Sequence, residues 1–165
     1  MDVGSGTPGA LARIDELGTT ISAYRVQFLL AQDRVALATL ISESVRIVSG
    51  PLEVRATPRV GSVTVDRRRG VLIGRAIADL LKNCLEHGAQ GTEIACTLYG
   101  SYPGLGVELI VGDDGPGFPR RSDPSRSLHW LRASARDLGG DVELLPTATY
   151  PGATVRLRVP LRDGR

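Results

Sequence analysis

Apolar residues follow a helical spacing at the start of the chain. In residues 9–32 they recur every three or four positions, which predicts a helical arm with one apolar side. That side can pack on the rest of the chain or on a second copy of the chain. Residues 1–8, before the arm, are predicted to be disordered. The apolar seam of the arm consists of Ile14, Leu17, Ile21, Tyr24 and Phe28.

A second helix is predicted directly after the arm. Asp33 can cap its N-terminus, and apolar positions continue at helical spacing from Arg34 to about Val48. Gly50-Pro51 ends this helix, because glycine and proline commonly follow a helix C-terminus.

The pattern then changes to the alternation of apolar and polar positions that is typical of strands. Residues 52–57 form the first predicted strand, and Pro58 is expected to end it. Further strands are predicted at residues 62–66, 93–99, 107–111, 141–145 and 153–159, and further helices at residues 69–86 and 128–138. Gly70 and Gly74 weaken the helical prediction in the first turns of residues 69–86.

The order of these elements predicts the fold class. Strands arrive in pairs between single helices, which argues against a doubly wound parallel sheet. We expect an α+β two-layer sandwich, with a mixed β-sheet and helices on one of its faces. Residues 33–165 would form this domain, preceded by the helical arm of residues 9–32.

Composition excludes several classes of protein. The chain has 165 residues, 42% of them hydrophobic, and 20 Lys and Arg balance 18 Asp and Glu. This even charge gives no basis for nucleic acid or anionic membrane as a partner.

No apolar stretch is long enough to span a bilayer, and the N-terminus does not resemble a signal peptide, so a cytoplasmic location is expected. Cys84 and Cys96 are interpreted as core thiols, and Arg67-Arg68-Arg69 as a solvated surface.

A glycine-rich turn follows the apolar strand of residues 107–111. It reads Asp113-Asp114-Gly115-Pro116-Gly117. A carboxylate at a strand end can accept hydrogen bonds from the amino group of a ligand, and glycines let the backbone approach that ligand closely. A tight surface turn without a ligand is the alternative interpretation.

Three polar residues interrupt the apolar pattern of the helix predicted at residues 69–86 and at its end. Asp79, Asn83 and His87 are four positions apart, so they project from roughly one face of the helix. Polar groups in such surroundings need a partner, which can be water, protein or a ligand.

These two stretches resemble the N box and the Asp-x-Gly-x-Gly box of the GHKL ATPases. The chain is most similar to the catalytic ATP-binding domain of bacterial sensor histidine kinases, and the resemblance covers roughly residues 33–161. Residues 128–144 look like the final helix and strand of those kinases, and residues 152–160 look like their closing strand. The resemblance implies the Bergerat ATP-binding fold, with ATP and Mg²⁺ as cofactors.

The resemblance also implies roles for individual residues. Asn83 would coordinate the magnesium ion that bridges the nucleotide phosphates, since an amide oxygen suits a hard cation. Asp113 would bind the adenine amino group, and Gly115 and Gly117 would let the backbone approach the purine.

Three further positions enter the nucleotide site by the same resemblance. Asp79 stands where the family usually has the glutamate that polarises the attacking group, so it is the candidate catalytic residue. His87 stands where relatives place a residue close to phosphate, and a partly exposed histidine at a helix end is the alternative. Thr154 belongs to the closing strand and is counted among the nucleotide-binding residues.

Two departures from the family pattern bear on function. Kinases carry a second glycine motif, Gly-x-Gly-Leu, whose backbone N–H groups cradle the triphosphate. Here Ser125-Arg126-Ser127-Leu128 stands in its place. No phosphoacceptor histidine is apparent, because the two histidines, His87 and His129, both lie within the ATP-binding region. Gln32-Asp33-Arg34-Val35 is similar to an acceptor sequence with glutamine for histidine, and we attribute this to chance.

Two functions therefore stay open. In the first, the chain binds Mg-ATP in a bacterial two-component or related system and transfers a phosphoryl group to an acceptor on a partner chain. The acceptor would be a histidine, or a serine or threonine as in anti-sigma-factor kinases, and a response regulator is a further expected partner. In the second, the chain is a degenerate, non-catalytic GHKL domain that serves as a dimeric binding or phosphotransfer scaffold. A homodimer would form through residues 9–48.

Overall fold

A computed structural model describes six stretches of the chain. They are residues 23–48, 52–87, 89–101, 104–117, 126–145 and 152–162. Its helices are residues 23–30 (α1), Leu37–Val48 (α2), Arg67–Glu86 (α3) and Arg126–Asp137 (α4). Its strands are Arg34–Ala36 (β1), Glu53–Arg59 (β2), Thr64–Asp66 (β3), Gly91–Tyr99 (β4), Gly106–Asp113 (β5), Asp141–Leu145 (β6) and Thr154–Pro160 (β7).

Five of the strands form one mixed sheet in the order β2-β4-β5-β7-β6. β2 and β4 run parallel, and the other neighbouring strands run antiparallel. Two of the three predicted strand pairs are confirmed, because β4 pairs with β5 and β6 pairs with β7. The strands predicted at residues 52–57 and 62–66 do not pair with each other, since β2 pairs with β4 and β3 pairs with β1. The α+β class with a mixed sheet is confirmed as well.

The hydrophobic core lies between one face of this sheet and the helices. In β5, Val107, Leu109 and Val111 are buried, and the intervening Glu108 and Ile110 are partly exposed. This alternation places one side of the strand against the helical layer, in which α2 packs on α3 and α4 contacts α3. The largest fully buried side chains are Leu37, Leu40, Ile41, Ile73, Ile77, Leu81, Ile94, Leu109, Leu131, Leu157, Val35 and Val60.

A separate two-stranded sheet, β1 with β3, corrects the predicted start of the second helix. Arg34 to Ala36 are extended and pair antiparallel with β3, so α2 begins at Leu37 instead of Arg34. The reason is Val35, which is fully buried at the centre of β1. Three residues are too few for alternation to be distinguished from helical spacing in the sequence.

The first turn of α3 also differs from the prediction. The helix begins at Arg67, two residues earlier than predicted, because the Asp66 side chain caps it by accepting the Arg69 N–H at 3.1 Å. Gly70 does not weaken this turn. A Cβ there would lie 3.1 Å from Val35 Cγ2, so the missing side chain lets α3 pack closely on β1.

Two further expectations are wrong. Pro58 does not end its strand but lies inside β2, which is tolerated because β2 is at the edge of the sheet. Arg69 is not solvated, since only 3% of its surface is exposed. Its guanidinium pairs with Asp66, and its Nε donates to the Pro160 carbonyl at 2.5 Å, which ties α3 to the end of β7.

The helical arm is described only from residue 23, where α1 is visible. Tyr24 and Phe28 are each 69% exposed, whereas Val26, Leu29 and Leu30 pack against the core. The two described residues of the apolar seam are therefore largely exposed. Residues 1–8 and the seam positions Ile14, Leu17 and Ile21 lie outside the described residues. Within the described stretches, the helices are all too short or too polar to cross a membrane.

Candidate functional site

Asp113 lies at the C-terminal end of β5, where the glycine turn begins. Its Oδ1 accepts the N–H groups of Gly115 at 2.9 Å and Ala153 at 3.1 Å. Its backbone N–H donates to the Ala153 carbonyl, and its carbonyl accepts the Gly152 N–H, each at 3.0 Å. The residue is 9% exposed. Two hydrogen bonds thus hold the carboxylate through Oδ1, and two more hold the main chain of Asp113, so Oδ2 lies outside this backbone network.

The glycines around Asp113 make room for this arrangement. A Cβ on Gly152 would lie 2.1 Å from Asp113 Oδ1 and 2.6 Å from its carbonyl oxygen, so no other residue can occupy the position without displacing the carboxylate. A Cβ on Gly115 would lie 3.1 Å from the same Oδ1. Gly117 has φ +81°, a conformation that side chains disfavour. Gly152 was missed in the sequence because it is distant from the glycine turn along the chain.

The second carboxylate of the turn, Asp114, has a structural role. Its Oδ1 accepts the N–H groups of Gln90 at 2.9 Å and Gly91 at 3.0 Å. These bonds favour the charged form and hold the pKa of Asp114 below its ordinary value. Asp114 therefore fastens the turn to the start of β4.

Cys84 of α3 contacts the free side of the Asp113 carboxylate. Its Sγ lies 3.4 Å from Asp113 Oδ2, and the thiol is buried. Burial, with a smaller contribution from the negative charge of Asp113, raises the pKa of Cys84 to about 12. The thiol therefore stays protonated and can donate to Oδ2.

Thr92 is the neighbour of Asp113 on the adjacent strand. The β4–β5 register places the two residues opposite each other, so their side chains share the helical face of the sheet. Thr92 is 4% exposed, and its hydroxyl interacts with the Cys84 thiol. Polar side chains from α3, β4 and β5 therefore meet in the interior beside Asp113.

The structure places Thr154 on the other side of the sheet. It pairs with Gly112, and because side chains alternate it belongs to the face that carries Arg156 and Arg158. Thr154 is 1% exposed, and its hydroxyl is unpartnered within the described residues. The structure does not bring it to the Asp113 carboxylate, and its nucleotide-binding role stays a prediction.

The three polar residues near the end of α3 have different environments. Asp79 and Asn83 are half-buried, whereas His87 is exposed and caps the helix, with its N–H donating to the Asn83 carbonyl at 3.0 Å. Asn83 immediately precedes Cys84, so it lies next to the Asp113 contact. Asp79 is one turn closer to the N-terminus of α3. The polar face therefore runs along α3 on both sides of Asn83, with Asp79 toward the N-terminus and His87 at the C-terminal end.

Asp79 already has a charged partner. Arg75 Nε lies 3.5 Å from Asp79 Oδ2, one turn apart on α3. The guanidinium carbon of Arg75 also lies 3.7 Å from the centre of the Trp130 ring, on α4. These three side chains link the polar face of α3 to the helix that follows the glycine turn.

Part of the predicted site cannot be placed. Residues 118–125, which connect the glycine turn to α4, lie outside the described residues, as do the side chains of Arg126 and Ser127. In the described stretches, His, Cys, Asp and Glu form no cluster of three that could hold a metal ion. The role of Asn83 as a magnesium ligand stays a prediction.

The comparisons with known proteins support the fold. No family model and no curated protein matches the chain.

Among solved structures, the mycobacterial sensor histidine kinase MprB is 24% identical and the ATP-binding domain of PrrB from Mycobacterium tuberculosis is 20% identical. Each match covers 79% of this chain and 99% of the other, with TM-scores of 0.57 and 0.64 respectively. The histidine kinase domain of the E. coli osmosensor EnvZ is 21% identical over 81% of this chain and 91% of its own, with a TM-score of 0.57. The chain therefore has the fold of histidine kinase ATP-binding domains, as its sequence resemblance implied.

Proposed function

We propose that this chain is a histidine-kinase-type domain that binds ATP with Mg²⁺ and transfers a phosphoryl group to an acceptor on a partner protein. The partner would belong to a bacterial two-component or related signalling system and carry the acceptor, with a response regulator as a further candidate. The observation that carries the proposal is the Asp113 carboxylate. Its Oδ1 is saturated by two backbone N–H groups, and its Oδ2 is directed at the helix that bears Asn83.

This carboxylate is suited to the amino group of adenine. Oδ2 receives only the weak thiol donor of Cys84 within the described residues, so it retains capacity for a second N–H donor. A hydrogen bond to a charged group in buried surroundings contributes about 1.5–3 kcal/mol. The backbone that holds Oδ1 is already in place before a ligand arrives. A purine with a donor at this position would therefore bind without reorganising the turn.

The remaining polar face would serve the phosphates. Mg²⁺, when bound, would neutralise charge on the phosphate oxygens, which is the main requirement of phosphoryl transfer. Asn83 offers an amide oxygen for that ion. Asp79 would orient the acceptor group, and His87, exposed at the end of α3, would lie at the edge of the site.

Calorimetry of ATP with and without Mg²⁺ tests the proposal. We expect binding that strengthens with magnesium and is lost in Asn83→Ala, because the variant lacks the amide oxygen. Gln90→Ala is the matched control, since Gln90 is an exposed amide whose contact with the site uses only its backbone N–H. Magnesium-independent ATP binding, or unchanged binding in Asn83→Ala, would contradict the assigned role of Asn83.

One observation favours the alternative of a non-catalytic domain. Asp79 is ion-paired with Arg75, which occupies the carboxylate that would orient an acceptor. In that case ATP would bind without release or transfer of its γ-phosphate. Incubation with γ-labelled ATP and candidate partner proteins distinguishes the two, since a kinase labels a partner and a scaffold does not. Acid treatment then identifies the acceptor, because phosphohistidine is hydrolysed and phosphoserine or phosphothreonine survives.

The exposed aromatic residues of α1 support a homodimer through residues 9–48. Tyr24 and Phe28 are one helical turn apart and continue the seam predicted from the sequence. Together with Leu29 and Thr39 they line an open groove, whose lining also includes the Arg25–Glu43 ion pair with its 3.0 Å N–O distance. Phe28→Asp is expected to yield a monomer in sedimentation, whereas Phe28→Leu should preserve the dimer. A wild-type monomer would contradict this assignment.

A further inference from the structure

Arg75 belongs to neither of the two nucleotide-binding boxes, yet it is the charged residue that links Asp79 to α4. Its guanidinium pairs with Asp79 at 3.5 Å and stacks on the Trp130 ring at 3.7 Å. The Arg75 side chain remains 54% exposed, so part of the guanidinium is accessible to a ligand. A planar guanidinium can stack through its face and still donate through its edge.

Arg75 lies on α3 on the N-terminal side of Asp79 and Asn83. Asp79 and Arg75 precede Asn83 by four and eight residues, which places them about 6 and 12 Å along the axis of α3. Both are on the side away from Cys84 and the Asp113 contact. A nucleotide whose base is at Asp113 would therefore extend its terminal phosphate toward this pair.

Two sources of positive potential meet at this end. Trp130 is the fifth residue of α4, so the stacked guanidinium lies near the N-terminal end of that helix, which carries the positive end of the helix dipole. The negative charge of Asp79 alone would repel a phosphate, and the positive charge of Arg75 neutralises that of Asp79. The chain also has Ser125-Arg126-Ser127-Leu128 where the resemblance implies a glycine motif for the triphosphate. A phosphate contact from α3 would take over part of that function.

We propose that Arg75 binds the terminal phosphate of a nucleoside triphosphate, and that this exchange of partners releases Asp79 to face the acceptor. The inference rests on the proposed ATP-binding function and assigns that site its γ-phosphate contact. The Arg75–Asp79 pair holds the side chains in place before the nucleotide arrives. The ion pair can be exchanged at small cost, because pairs between side chains in contact with water contribute little to stability.

Trp130 provides a direct readout of this exchange. It is the single tryptophan of the chain. Fluorescence at wavelengths longer than the tyrosine emission therefore comes from Trp130 and reports on this stacking contact. Movement of the guanidinium toward a phosphate changes the charge next to the indole ring. ATP should therefore alter Trp130 emission, and ADP, which lacks the terminal phosphate, should leave it nearly unchanged.

The test compares ATP and ADP binding by calorimetry and by Trp130 emission in the wild-type chain, Arg75→Gln and Arg55→Gln. Arg55 is the matched control, since it also forms a surface ion pair, with Glu93 at 3.0 Å, but on the edge strand β2. We expect Arg75→Gln to weaken ATP about tenfold and ADP less than about twofold, and to abolish the ATP-dependent emission change. Arg55→Gln should behave like the wild type.

The outcomes separate this inference from the function on which it rests. If wild-type protein binds neither nucleotide, the proposed function fails and this inference fails with it. If wild-type protein binds ATP but Arg75→Gln binds it equally well, the Arg75 assignment alone is overturned. Equal weakening of ATP and ADP in Arg75→Gln would assign the residue a structural role and would also overturn it.

Discussion

Asp113 and Asp79 are two aspartates of one candidate site, and the chain holds them by different means. Asp113 is 9% exposed, and its Oδ1 accepts two backbone N–H groups. One comes from the turn after β5 and the other from the segment before β7. Within the described stretches, the Asp79 carboxylate pairs with Arg75, a flexible side chain one turn away on the same helix. The first arrangement is rigid because it is part of the backbone hydrogen-bond network. The second can be exchanged because both partners are side chains in contact with water.

This difference matches the demands of nucleotide binding and phosphoryl transfer. A purine pocket gains selectivity from preformed groups that need no reorganisation on binding. The phosphate end has to admit a ligand, orient an acceptor and release a product, which requires groups that change partners. The rigid Asp113 is therefore suited to recognition of the purine, and the exchangeable Asp79 is suited to the phosphoryl-transfer reaction.

The largest expected effect tests the rigidity of the Asp113 end. Gly152→Ala places a Cβ 2.1 Å from Asp113 Oδ1, which the backbone cannot accept without moving. We expect a loss of at least about 3 kcal/mol in the free energy of unfolding, measured by denaturant titration. Gly104→Ala is the control. Its Cβ would have no contact closer than 3.4 Å, so its effect should stay within about 0.5 kcal/mol. Equal stability of both variants would show that the turn adapts.

A smaller effect is expected at the exchangeable end. Asp79→Asn removes the charge that competes with phosphate for Arg75, so ATP should bind about two- to fivefold more tightly. Phosphoryl transfer should decrease in the same variant, because the carboxylate that orients the acceptor is lost. Calorimetry and transfer of labelled phosphate measure the two quantities. Weaker ATP binding in Asp79→Asn would contradict the exchange of partners.

The smallest effect concerns the attachment of the turn to β4. The pKa of Asp114 is lowered in the folded chain by the N–H groups of Gly91 and Gln90, so the unfolded chain binds more protons at acidic pH. The stabilisation is fully present above the unfolded pKa and is lost as pH falls through the folded pKa. The stability difference between wild type and Asp114→Asn should therefore be constant above about pH 5 and decrease below it. A difference independent of pH would show that these hydrogen bonds do not stabilise the turn.

The sequence predicted features that depend on local spacing. The individual strands and the helix that carries Asp79 and Asn83 follow from periodicities within single segments, and the mixed sheet follows from the order of these elements. The three-residue strand β1 was mistaken for helix because it is too short to show alternation. Arg69 was mistaken for a surface residue because its partner, the Pro160 carbonyl, is distant in sequence.

The candidate site was predictable only in part, because some of its residues come together from distant parts of the sequence. Asp113 and its glycine turn are contiguous and recognisable. Cys84, Thr92 and Gly152 reach Asp113 through helix–sheet packing and strand register, which no local pattern encodes. The contact between Arg75 and Trp130 likewise joins two helices across an intervening strand pair. Gly152 is the first residue of the segment that resembles the closing strand, so the sequence contained a signal for it. The need for glycine at this position follows only from its contact with Asp113 in the structure.

The most direct test of the central claim is a change of base preference in Asp113→Asn, measured by calorimetry with ATP and inosine triphosphate. The asparagine oxygen can still accept the N–H groups of Gly115 and Ala153, while its amide replaces the acceptor Oδ2 with a donor. We expect ATP binding to weaken about 100-fold and inosine triphosphate, which carries a carbonyl in place of the amino group, to bind more tightly than ATP. Unchanged ATP affinity in Asp113→Asn, or equal affinity of the wild-type chain for both nucleotides, would contradict the account.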